Sequence, residues 1–191
     1  MKFRAIIISV AAGATMSSAI AAQSKTGIRA IDFLNRTYAA GCYTGEGRKS
    51  IKVANGKFAD GDDFFNVDEQ VTYGDVNGDG KEDAIVRIYC GNSAGTYRDF
   101  EVDVFTASGK GAKLISRIDQ PQMEADYKRT FRKGIVFGLA EPAPEIKAGR
   151  IEIGALTDGS FAGPANTTTF EYKLAGAKLV VMGKPKRKKN T

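Results

Sequence analysis

The chain has 191 residues and contains no histidine, no tryptophan, only 2 cysteines and only 5 prolines. Without histidine there is no Ser-His or Cys-His nucleophile pair, no His-ligated zinc or haem, and no imidazole proton shuttle. Any catalysis would rest on carboxylates, Lys, Tyr or a bound ion. Beyond the N-terminus, no apolar run reaches the about 20 residues that a spanning helix needs. No self-similarity recurs at the roughly 20 to 50 residue period of solenoids and propellers. A net charge of +6 suggests a basic protein, but Lys2, Arg4, Lys184, Lys186, Arg187, Lys188 and Lys189 exceed it between them. The body is therefore near neutral and only the C-terminal end is strongly basic.

What is present begins with an export pattern. Lys2 and Arg4 form a charged start, Ala5 to Ala14 an apolar stretch, and Ala19-Ile20-Ala21 a small-residue cleavage site. The mature chain would begin at Ala22 or Gln23, without a cysteine there to carry a lipid, and be soluble in the periplasm or outside the cell. In such an oxidising compartment Cys42 and Cys90 read as a disulfide, the alternatives being a reactive thiol or a metal pair.

From Ser50 onward the pattern is of short strands separated by Gly, Asn and Asp. Strands are expected at Ser50 to Val53, Val67 to Tyr73, Ala84 to Cys90, Tyr97 to Thr106, Ala112 to Ile118, Gly134 to Gly138, Arg150 to Leu156, Thr167 to Lys173 and Lys178 to Met182. Met123 to Arg132 reads as a short helix, and Ser24 to Tyr38 fits helix and strand equally. The expected fold is α+β, mostly antiparallel β, a single domain with little helix. Its parts are a signal peptide (1–22), a strand-rich domain (23–183) and a basic disordered tail (184–191).

Side-chain parity gives a register for the central hairpin. Val86 would face Val102, Ile88 would face Phe100 and Ala84 would face Val104, with Arg87 opposite Glu101 on the other face. The row Asp99, Glu101, Asp103 would then project into solvent. Such a row suits a solvated face with an Arg87–Glu101 pair, or alternatively the paired carboxylates of a hydrolase.

The sharpest chemical signal is Asp75-Val76-Asn77-Gly78-Asp79-Gly80-Lys81-Glu82-Asp83. Asp75, Asn77, Asp79 and Asp83 offer side-chain oxygens in a D-x-N-x-D-G-x-x-D order, and the Lys81 carbonyl can add another. A hard cation such as calcium takes about six to eight oxygens. The position where an EF-hand places its bidentate Glu is Val86, so this is not an EF-hand. The other reading is turn chemistry, in which the same side chains bond the loop backbone.

The loop resembles the calcium loop of FG-GAP and related β-propeller repeats, present here in one copy. More widely, Ile31 to Tyr38, Cys42, Asn55-Gly56, Tyr73 to Gly80 and Tyr97 to Phe105 are similar to a set of small secreted bacterial proteins that includes the LppP/LprE-type lipoproteins. So are Ala148 to Ile153 and Phe170 to Val180. The resemblance implies fold and location without an activity, and this chain lacks the lipidated cysteine.

The resulting expectation is an exported, non-catalytic binding or structural module. It would be stabilised by the disulfide and a calcium loop, and its partner would be an envelope component or a protein. The basic residues Lys184, Lys186, Arg187, Lys188 and Lys189 could meet an anionic polymer or lipid, while nucleic acid is disfavoured because no aromatics interleave the charges. The alternatives are an inhibitor of a secreted hydrolase such as lysozyme, with Ser93 to Tyr97 as its loop, and a hydrolase using Asp99, Glu101 or Asp103.

Overall fold

Six successive residues, Asp83 to Ile88, are all buried, so both faces of the strand that carries them must be covered. The computed structural model, which describes residues 26–42, 49–95, 98–160 and 162–190, shows what covers them. The expected signal peptide (1–22) lies outside the described residues. After a single 3-10 turn at Gly27–Ala30 come β1 (Thr37–Ala40), β2 (Lys49–Lys52), β3 (Lys57–Asp60), β4 (Asp63–Val67), β5 (Thr72–Gly74), β6 (Asp83–Asn92), β7 (Arg98–Ser108) and β8 (Gly111–Asp119). Helix α1 (Gln120–Phe131) follows, then β9 (Val136–Leu139), β10 (Glu145–Lys147), β11 (Arg150–Ser160), β12 (Gly163–Ala175), β13 (Lys178–Val181) and β14 (Lys186–Lys189).

The first sheet runs β3-β4-β6-β7-β8, with β5 also on β6; the second runs β10-β11-β12-β13, with β9 on β11 and β14 on β12. All the pairings are antiparallel. With one α-helix among the described residues, the fold is mostly β, and the helix is an accessory rather than a second layer. That helix starts earlier than the sequence suggests, because Asp119 accepts from the Gln122 N–H at 2.9 Å as N-cap and Pro121 fits the first turn. The expected Val67 to Tyr73 strand is two strands, β4 and β5, which share one edge of β6.

Two cores lie on opposite faces of the first sheet. On one side Phe33, Tyr38, Ile51 and Val53 from the N-terminal segment pack against Phe65, Val86, Ile88 and Phe105. On the other, Ile85, Phe100, Val102 and Ile118 meet Met123 and Tyr127 of α1 and Ile151, Ile153, Phe170 and Tyr172 of the second sheet. Each such side chain contributes roughly 1.5–3 kcal/mol on burial. The Cys42–Cys90 disulfide, with Cα atoms 5.7 Å apart, ties the N-terminal layer to β6.

The hairpin register differs by one residue from the parity argument: Val86 pairs with Asp103, Arg87 with Val102, Ile88 with Glu101 and Ala84 with Phe105. The argument presupposed one solvated face, and this sheet has none. Parity sends the acids of β7 to solvent, whereas pairing with Arg117 lets Glu101 and Asp103 occupy core positions. Consequently Glu101 and Asp103 share the face of Val86 and Ile88, and both are fully buried. Arg87 lies on the opposite face, paired with Asp68 at 2.7 Å and Glu141 at 3.0 Å instead of with Glu101.

A second correction concerns the expected disordered tail (184–191). Lys186–Lys189 form β14, in register with Asn166 to Thr169 of β12. Arg187 anchors it, stacking over Phe131 at 4.4 Å and donating to the Tyr127 hydroxyl at 3.1 Å. A lysine-rich strand at a sheet edge also blocks further strand addition, which is a structural use for these charges.

Two outcomes follow from this packing. Cutting the Cys42–Cys90 bond, which spans 48 residues, by reduction or by Cys42→Ser with Cys90→Ser should lower unfolding stability by about 4 kcal/mol in urea titrations. An unchanged midpoint would contradict it. Burial pushes the hydroxyls of Tyr38, Tyr127 and Tyr172 above their ordinary value of 10.0. The fold therefore holds these groups neutral while the unfolded chain ionises them near that value. Their contribution is fully present below about pH 10 and is lost as pH rises further, so melting temperatures recorded across that boundary should fall steeply on its alkaline side.

Candidate functional site

The Asp75–Asp83 loop joins β5 to β6 at the end of the first sheet, where the two sheets meet. Gly74 packs closely there: a Cβ would stand 3.0 Å from the Ile146 side chain of β10, which would have to shift to admit it. Gly78 and Gly80 then adopt φ of +79° and +78°, the left-handed conformation that lets the loop turn sharply. Between them the loop's acids close it. Asp75 accepts from the N–H groups of Gly78 at 2.6 Å and Gly80 at 2.9 Å, Asn77 accepts from Asp79 N–H at 2.8 Å, and Asp79 accepts from Lys81 N–H at 2.8 Å. Asp83, fully buried, reaches back to the N–H groups of Val76 at 3.0 Å and Asn77 at 3.2 Å.

By chemistry the donor set fits a hard cation, being made of oxygens alone. As folded, those oxygens face loop N–H groups, and among the described residues no three or more His, Cys, Asp or Glu side chains are grouped to hold a metal. Taking an ion therefore means turning some of these carboxylates towards a common point. Next to Asp83, Glu82 forms a bidentate pair with Arg29 at 2.5 and 2.7 Å, and Arg29 stacks over Tyr73 at 4.4 Å. The hydrogen bond from Arg29 holds the Glu82 carboxyl below its ordinary range. A shallow depression lined by Gly74, Asp75, Gly78, Ile146, Ala148 and Gly149 opens beside the loop.

The carboxylate row on β7 has a different character from a solvated face. Arg117 on β8, directly opposite Asp103, donates to both of its oxygens at 2.5 and 2.6 Å and lies 3.2 Å from Glu101. Its remaining hydrogen bond reaches the Ala39 carbonyl of β1 at 2.7 Å, and Glu101 accepts from the Gly41 N–H at 3.1 Å. This buried cluster therefore binds the N-terminal layer to the sheet one residue from the disulfide. Burial works against the Arg117 charge, but the Asp103 hydrogen bonds and the Asp103, Glu101 and Asp119 charges hold it above its ordinary pKa. Arg117 was not legible as a partner because the assumed register placed Arg87 against Glu101.

Two further polar groups were unforeseen. Asp126 of α1 accepts from the buried Tyr172 hydroxyl at 3.2 Å and pairs with Arg129 at 2.5 Å. Asp158, at φ +57°, receives the Tyr127 hydroxyl at 2.5 Å, Asn166 at 3.0 Å and Arg187 at 3.3 Å. Asp tolerates that conformation better than most residues, and the Asp158-Gly159 pair, with Gly159 at φ +84°, is the local signal that marks it.

No family model, curated protein or solved structure matches this chain. The FG-GAP-like and lipoprotein-like resemblances thus rest on the quoted residues alone. Among the described residues no helix is long and apolar enough to cross a membrane. Of the residues singled out by sequence, Asp75, Asn77, Asp79, Lys81 and Asp83 come together in one loop, Cys42 and Cys90 are bonded, and Lys186, Arg187, Lys188 and Lys189 lie on β14. Ser93, Ala94 and Gly95 are exposed at the β6–β7 turn, and Thr96 and Tyr97 lie outside the described residues.

Burial separates the loop's acids energetically. Asp83→Ala strips one buried and one half-buried N–H group of their acceptor and should cost about 2–3 kcal/mol, whereas Asp79→Ala at the exposed tip should cost under about 1 kcal/mol. Arg117→Met should cost about 3–5 kcal/mol, since it leaves buried carboxylates without their guanidinium. Urea titrations of the three variants test this ordering, and equal losses at Asp79 and Asp83 would contradict it.

Proposed function

We propose that the chain is an exported binding module that acts without catalysis on an envelope component. The Cys42–Cys90 bond holds it in shape, together with a calcium-type cation taken by Asp75, Asn77, Asp79, Asp83 and the Lys81 carbonyl. One observation carries the reading: the charged groups that the fold buries each hold one element to another. Arg87 joins β6 to Asp68 beyond β4, Arg117 joins β8 to β7 and β1, Asp83 closes the β5–β6 loop, and Asp126 joins α1 to β12. Exposed surface is then left to meet a partner, chiefly the outer face of the second sheet.

The cation would act as a staple, adding charge neutralisation to a loop that its own side chains already bend. It would supply no reaction step. Calcium titration by calorimetry, with melts in calcium and in chelator, tests this half of the reading. The expected result is a site of about 10⁻⁴ to 10⁻³ M, the range of extracellular modules, that raises the melting temperature and disappears in Asp79→Ala. No heat and no shift would reduce the loop to turn chemistry.

A further inference from the structure

The first sheet is covered on both faces, whereas the second is covered on one, and the residues along its outer edge form an unusual row. Strand pairing sets their parity. Tyr172, Leu179 and Val181 point into the core, so Lys178, Val180 and Met182 of β13 and its extension share the outer face with Lys173, which is directly opposite Val180. Along the same edge, Lys186 pairs with Thr169 and Lys188 with Thr167, again outward, while Arg187 between them turns inward to Phe131. The outward row thus reads Lys178, Val180, Met182, then Lys186 and Lys188, with Lys184 exposed in the connection between the two strands, over a length of about 30 Å.

Two features set this row apart from an ordinary solvated edge. Val180 and Met182, 44% and 36% exposed, are two of the three large hydrophobics left exposed among the described residues, and both sit between lysines. In addition, Glu171, the acid nearest the row, is already bridged to Arg150 and Lys186, while Lys173, Lys178, Lys184, Lys188 and Lys189 make no ion pair with a described carboxylate. The row therefore combines uncompensated positive charge with exposed apolar side chains along a strand-paired sheet edge.

We propose that this edge is a docking surface for an anionic phospholipid bilayer. Val180 and Met182 would enter the headgroup–acyl boundary, and Lys173, Lys178, Lys184 and Lys188 would lie along the lipid phosphates. Lysine stems reach past the apolar pair, so both kinds of contact can form together. Charge complementarity selects the sign of the surface. The apolar pair favours lipid over a soluble polyanion, which has nothing to offer Val180 and Met182. The inference deepens the reading of a binding module by naming its partner, and it does not depend on the calcium loop, so the two fail separately.

The test is co-sedimentation of the oxidised protein with phosphatidylcholine vesicles, with and without phosphatidylglycerol. Binding is expected only with phosphatidylglycerol and should weaken steeply with salt. The triple variant Lys178→Gln, Lys184→Gln, Lys188→Gln should bind about a hundredfold more weakly, at roughly fivefold per lysine. Val180→Ser with Met182→Ser, which alters only exposed side chains, should lose about tenfold. Lys52→Gln, Lys57→Gln, Lys113→Gln removes the same charge from the first sheet and the N-terminal layer and should stay within about twofold. Melting curves confirm that each variant is folded. The proposal is overturned if phosphatidylglycerol vesicles do not bind, or if the control triple loses as much as the edge triple. It is also overturned if the apolar variant binds unchanged while soluble polyphosphate competes fully, since the edge would then be a polyanion site.

Discussion

Strands β6 and β7 are enclosed on both sides, and most of the architecture can be read as a response to that fact. A sheet whose two faces are apolar needs two covers, and a chain of this length supplies them from its two ends. The N-terminal segment with β1 and β2 closes one face through Phe33, Tyr38 and Ile51, and α1 with the second sheet closes the other through Met123, Tyr127, Ile153 and Phe170. The first cover is small, with its two strands paired only to each other. The Cys42–Cys90 bond and the hydrogen bonds from Arg117 and Glu101 to β1 and Gly41 provide the attachment that a larger apolar contact would otherwise give.

Charges follow the same logic. Acids at core-facing positions are costly unless paired, and the fold pairs them: Asp103 with Arg117 across β7 and β8, and Asp126 with Arg129 one turn along α1 and with the Tyr172 hydroxyl of β12. Desolvation raises the Asp126 carboxyl above its ordinary pKa against the pull of Arg129. The second sheet, covered once, keeps its unpaired lysines on the outside. Burial pattern thus divides the molecule into a core where charges hold elements together and one edge where they remain available to a partner.

Much of this was legible from residues. Alternating and turn residues placed most of the strands from Ala84 onward, the expectation of export paired the cysteines, and Asp75 to Asp83 was recognisable as one closed loop. What failed did so for identifiable reasons. The β6–β7 register slipped because parity assigns the alternating acids of β7 to solvent, whereas Glu101 and Asp103 are buried on the face of Val86 and Ile88 with Arg117 as their partner, a cluster the slip concealed. The tail was misread because a run of Lys and Arg has no strand signature of its own. Its order comes from tertiary contacts of Arg187 with Phe131, Tyr127 and Asp158, and from Asn190 bonding the Ala165 and Pro164 carbonyls.

Native-state hydrogen exchange on the oxidised protein measures the central constraint most directly. If the doubly covered strands hold the structure together, the amides of Ala84 to Cys90 and Phe100 to Phe105 exchange slowest and only through global unfolding, while those of β1, β2 and β14 open locally at lower free energy. Faster exchange in β6 and β7 than in β11 and β12 would contradict the account, because the second sheet would then be the core and the first its dependent.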